Sequence, residues 1–122
     1  MGMELKVTFS GREPPGWPAV ADLLARHGRP VQMRMIDGEL AFPDEAPPEG
    51  WRELRVALGG AMVTIRRGAD EAAVVAWGNA DAEQLRLWHM LAWALASAGE
   101  GSVQTQEGPV DAATFARQVG FE

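Results

Sequence analysis

The chain has no cysteine and no tyrosine. The first absence excludes disulfides, thiol nucleophiles, cysteine zinc sites and cysteine-ligated iron–sulfur clusters. Histidine is scarce too, with only His27 and His89, which leaves little for a histidine-rich metal site. Lys6 is the only lysine beside ten arginines. In a chain rich in Ala, Gly and Pro, that imbalance reads as coding bias rather than selection for guanidinium chemistry. Long apolar runs are missing as well. The most apolar stretch, residues 85–98, is broken by Arg86 and His89. It falls short of the roughly 20 residues a membrane span needs. Residues 1–6 lack the basic segment and apolar run of a secretory signal. Lys6 stands where a myristoylation motif requires Ser or Thr. These absences predict a soluble, cytoplasmic protein with no membrane partner.

What is present fits one domain. The 122 residues are 47% hydrophobic and 23% charged, ordinary globular values. We expect a single compact domain over residues 1–122. At this length folding buries about two-thirds of the chain's surface, so a core needs neither metal nor disulfide. The net charge is −6, from 11 basic and 17 acidic residues. That balance disfavours a nucleic-acid partner. The excess is regional. Residues 1–67 carry 9 acidic and 9 basic groups, whereas residues 68–122 carry 8 acidic groups against Arg86 and Arg117.

Hydrophobic periodicity predicts the elements. Met3, Leu5, Val7 and Phe9 alternate with Glu4, Lys6, Thr8 and Ser10, a half-buried strand. After a turn-rich break, a helix is expected over residues 18–27, opened by Pro18 and stopped by Gly28 and Pro30. Strands 31–36 and 39–42 flank Asp37-Gly38, a pair suited to a type I′ turn. That register sets Met35 opposite Leu40 and Met33 opposite Phe42 on one face, with Arg34 and Glu39 on the other. Residues 43–50 read as a proline-rich surface loop. Strands 52–58 and 61–67 form a second hairpin around Gly59-Gly60. It pairs Val56 with Val63, Leu54 with Ile65 and Glu53 with Arg66. In a further strand, 72–77, Val74 and Ala76 join the core face. Met62, Val75 and Trp77 fall on the opposite face with Arg55, Thr64 and Arg66.

Asn79 or Asp81 caps a long helix, 82–98. Asp81 with Gln84 resembles a capping box, and Gly99 ends the helix. A strand over 102–106, a turn at Gly108-Pro109 and a helix over 112–119 capped by Asp111 complete the chain. The order is β-α-β-β-β-β-β-α-β-α. Sequential hairpins with helices set apart predict an α+β fold, a mainly antiparallel sheet with helices packed on one face.

Catalytic motifs are missing. There is no phosphate loop, dinucleotide glycine pattern, HExxH or nucleophile elbow. Gly99-Glu100-Gly101 follows a helix and reads as its stop. Neither histidine has a sequence-local acid or nucleophile, so both read as structural. The acid pairs Asp37/Glu39, Asp44/Glu45 and Asp70/Glu71 lie in turns that favour such residues anyway. We therefore expect no catalytic residue, no cofactor and no metal site.

Five tryptophans supply most of the large aromatic surface. Trp17, Trp51 and Trp88 read as packing residues. Trp88 shares a helical stripe with Leu85, Leu91, Ala92 and Leu95, taken as the sheet-facing side. Trp93, with Met90 and Arg86, falls on the opposite side of that helix. Either another helix or the proline loop covers these residues, or they form an exposed interface patch. The outer sheet residues Met62, Val75, Trp77 and Arg55 pose the same choice. The best reading is a small acidic, non-enzymatic protein-interaction module of adaptor, chaperone or toxin-neutralising type. It would bind a protein partner or a second copy as a dimer. The alternative is a small apolar-ligand binding domain with a pocket between the long helix and the sheet.

Overall fold

The alternation at the N-terminus becomes strand β1 (Met3–Thr8), with Val7 buried and Glu4 and Lys6 in solvent. It belongs to a computed structural model that describes residues 2–78 and 81–120. Helix α1 (Trp17–Arg26) follows, with Pro18 in its first turn. Its end turns at Gly28, whose φ of 73° is a left-handed value that suits glycine. Five strands come next: β2 (Gln32–Ile36), β3 (Glu39–Leu40), β4 (Glu53–Leu58), β5 (Ala61–Arg67) and β6 (Glu71–Ala76). Then come α2 (Ala82–Gly99), β7 (Ser102–Thr105), β8 (Gly108–Val110) and α3 (Ala112–Val119). All strand pairings are antiparallel in one eight-stranded sheet of order β3-β2-β4-β5-β6-β1-β7-β8. The fold is α+β, as the order of elements predicts.

The predicted β4–β5 register is observed, with Val56 opposite Val63, Leu54 opposite Ile65 and Glu53 opposite Arg66. Asp37 and Gly38 both have positive φ, as a type I′ turn requires. Beyond that turn the expectation fails. Met35 does lie opposite Leu40, but β2 bulges at Arg34 against β4. Two residues of β2 there oppose one of β4, so the alternation slips by one. Met33 faces the core with Val56, whereas Met35 faces outward with Arg55. Phe42 does not pair with Met33, which instead donates its N–H to Pro43 O at 2.9 Å. Residues 108–110 also differ from expectation. They form edge strand β8 rather than a turn, and the turn sits earlier, at Gln106–Glu107. Thr105 Oγ1 closes it by accepting from Glu107 N and donating to Gly108 O. Pro109 is tolerated because β8 is an edge.

The helices pack on one face of the sheet around α2. Asp81 caps α2 by accepting from Gln84 N at 2.9 Å. The other suggested cap, Asn79, lies outside the described residues. Leu87, Leu91 and Leu95 are closed off against the sheet, with Val56, Val63, Ile65 and Val74 beneath. Trp88 reaches the sheet through its indole N–H, which donates to Val74 O at 2.8 Å. Leu85, expected on that side, lies instead in a groove on the outer side of α2 with Val119. A helix apolar on most of its circumference needs neighbours on its flanks. Helices α1 and α3 supply them.

The helix α2 does not stop at Gly99 by the usual device. Its left-handed residue is Glu100, at φ 54°. The two glycines serve contact instead. A Cβ at Gly99 would lie 2.6 Å from the Phe9 ring, and one at Gly101 2.6 Å from Thr8 O. Arg12 holds Glu100 from outside, donating to its carboxylate and its carbonyl at 3.2 Å.

Candidate interaction surface

No described helix covers the second face of the sheet. Cross-strand neighbours point to the same face, so the registers can be read across the strands. Leu40, Met35, Arg55, Thr64, Val75 and Glu4 form one row across β3, β2, β4, β5, β6 and β1 on this open face. The neighbouring row on the side of Met62 carries Ala57, Met62 and Trp77. Trp77 is 49% exposed, Met62 43% and Leu40 88%. Four of the predicted interface residues, Arg55, Met62, Val75 and Trp77, therefore do share one surface.

Trp77 organises that surface. A Cβ on Gly2 would come within 2.9 Å of its ring. On the other side Arg66 Cζ lies 5.6 Å from the ring centroid, within cation–π range. Between Trp77 and the Arg66 row lie Thr64 and Val75, only 1% and 4% exposed although no described helix covers them. The indole and the guanidinium reach towards each other over this pair and roof it. Thr64 Oγ1 is left there without a hydrogen-bond partner among the described residues.

The surface is charged at its margin and nearly balanced. Arg66 Nε donates to Glu53 Oε1 at 3.2 Å, the predicted cross-strand pair. Lys6 sits 3.6 Å from Glu71. Arg55 has no ion-pair partner among the described residues. The acidic excess of residues 68–122 lies largely elsewhere and is partly used. Asp81 and Asp111 are helix N-caps, and Glu100 pairs with Arg12.

The remaining predicted residues, Met90, Trp93 and Arg86, lie on the helix layer rather than on the open face of the sheet. Met90 is 5% exposed and Trp93 is half-buried. Trp93 meets the edge of the His27 ring at 4.8 Å, so the end of α1 does part of the covering. Arg86 stays exposed and lines a groove of about 570 Å³ with His27, Arg29 and His89. Burial holds the His89 imidazole below its ordinary pKa. Sequence reasoning missed the gathering of these four groups, because α1 and α2 are joined only by tertiary packing. It missed Met35 and Leu40 on the open face because the β2 bulge leaves no signal in the apolar pattern.

Between α2 and the sheet the leucine and valine side chains are closed off, and a groove of about 270 Å³ opens at the margin of that layer beside Leu58, Gly59 and Leu87. Among the described residues no helix is long and apolar enough to cross a membrane. Compared with protein-family models, curated proteins and solved structures, the chain finds no match.

Proposed function

We propose that the protein is a non-enzymatic interaction module that docks another protein on the open face of its sheet. One observation carries this reading. A half-exposed tryptophan and a half-exposed methionine stand side by side on a sheet face that no described helix covers. Trp and Met are favoured at protein interfaces, and arginine is the cation most often found with them. Arg55 supports the same reading, since it stands beside the apolar stripe with no described acid to satisfy it. An adaptor, chaperone or toxin-neutralising role would each use such a surface. The net charge of −6 would speed encounter with a basic partner and make the rate salt-dependent.

The test is site-specific photo-crosslinking in cells from position 62, with position 97 on the exposed side of α2 as control. The expected result is a discrete protein adduct from position 62 that Trp77→Asp abolishes. Adducts no stronger than those from position 97, or unaffected by Trp77→Asp, would sink the reading.

A further inference from the structure

The groove on the helix layer has a composition at odds with the rest of the chain. In a protein of net charge −6, its wall carries two arginines and two histidines and, among the described residues, no carboxylate. His27 caps the end of α1 and Arg29 follows just past Gly28, while Arg86 and His89 come from α2. Arg86 is one of only two basic residues in the acidic part of the chain. Neither arginine has an ion-pair partner among the described residues. Glu83 lines a smaller adjoining groove of about 270 Å³ together with both arginines, without forming an ion pair with either.

Both imidazoles pack against aromatic rings. His27 lies edge-on to Trp93 at 4.8 Å. His89 sits between Trp88 at 5.1 Å and Phe115 at 5.9 Å. No described residue hydrogen-bonds either ring, and the aromatic contacts set the orientation of both. The floor is apolar, made by Leu85, Met90 and Val119.

We propose that this groove binds a small phosphate monoester with an apolar or flat organic body. Two guanidinium forks match the oxygens of a phosphate dianion, and each charge-assisted pair is stronger than a neutral hydrogen bond. Imidazole N–H groups add donors. A volume of about 570 Å³ exceeds what inorganic phosphate needs and lies in the range of small-molecule sites. The apolar floor takes the organic part. This site lies on the helix layer rather than on the open sheet face and stands independently of the interaction surface.

Isothermal titration of the full chain with phenyl phosphate tests the proposal, with inorganic phosphate and benzoate as comparison probes. We expect saturable 1:1 binding of phenyl phosphate, weaker binding of inorganic phosphate and weaker binding of benzoate. Arg29→Ala and Arg86→Ala should each weaken phenyl phosphate about 10-fold or more, since a hydrogen bond to a charged group is worth about 1.5–3 kcal/mol. Both side chains are exposed, so neither change endangers the fold. Arg117→Ala, outside the groove, should leave affinity unchanged. No saturation by about 10 mM phenyl phosphate, on a scale where 1 mM is about −4.1 kcal/mol, would overturn the proposal. So would affinity that survives both arginine changes, or equal affinity for phenyl and inorganic phosphate.

Discussion

Single side chains do three jobs that their sequence neighbourhood does not announce. Thr64 hides a hydroxyl beneath Trp77 and Arg66 with no described partner. A buried polar group left unpaired costs about 1–3 kcal/mol, and an apolar isostere avoids that cost. Thr64→Val should therefore stabilise the protein by about 1 kcal/mol, read from the urea midpoint at unchanged slope. Asp37 does more than turn the chain. Its Oδ1 accepts from Arg52 N at 2.8 Å and Glu53 N at 2.9 Å, tying the hairpin tip to the start of β4. Those two backbone bonds, the one from Arg52 first, hold its carboxyl below the ordinary aspartate range. Asp111 is lowered likewise, chiefly by Thr114 N. Each contributes stability that is complete above the unfolded aspartate value and is lost as pH falls through the lower folded value. Asp37→Ala should thus lower the thermal midpoint at pH 7 and shrink the acid-induced loss. His89 acts in a higher window. In the unfolded chain the histidine protonates at about 6.5 while the folded His89 resists, so the unfolded state binds more protons there. Stability should be full above that pH and decline as pH falls below it. His89→Gln should flatten the decline in a series of urea titrations, and an unchanged slope would contradict it.

At the scale of elements, hairpins and helices were legible where local chemistry and tertiary need agree. The Asp-Gly turn, the Gly-Gly hairpin and the Asp81 cap each state their geometry in two or three residues. The failures are equally local in cause. One inserted residue at Arg34 sends Met35 outward, and no apolar pattern distinguishes a bulged strand from a regular one. The Gly99-Glu100-Gly101 segment reads correctly as a helix stop, but for an incomplete reason. Its glycines are required by the Phe9 ring and the β1 backbone, which approach from about ninety residues away in sequence. Overpacking a filled core typically costs 1–3 kcal/mol. Gly99→Ala should therefore destabilise the protein by about 2 kcal/mol even though alanine is the better helix former. A gain in stability on Gly99→Ala would show that Phe9 yields freely and that the close approach has no cost.

At the scale of the molecule, β1 holds the sheet together. It lies between β6 and β7, so the chain's first strand must wait for partners around seventy and ninety-five residues later. Such non-local pairing slows folding. A chain lacking residues 2–9 should show no cooperative unfolding by tryptophan fluorescence, because β6 and β7 would lose their shared neighbour. The sequence by itself determined the α+β class, the order of nearly all elements, the β4–β5 register and the inner and outer sides of β5 and β6. Those follow from periodicity and turn chemistry, which act over a few residues. Tertiary structure alone decided the rest. It inserted β1 in mid-sheet, closed α1 and α3 around Met90 and Trp93, and left Trp77 and Met62 in the open. It also drew His27, Arg29, Arg86 and His89 to one groove. The physical reason is range: a side chain's face is set by its own backbone, but what covers that face is set by whichever distant element buries the most apolar surface against it.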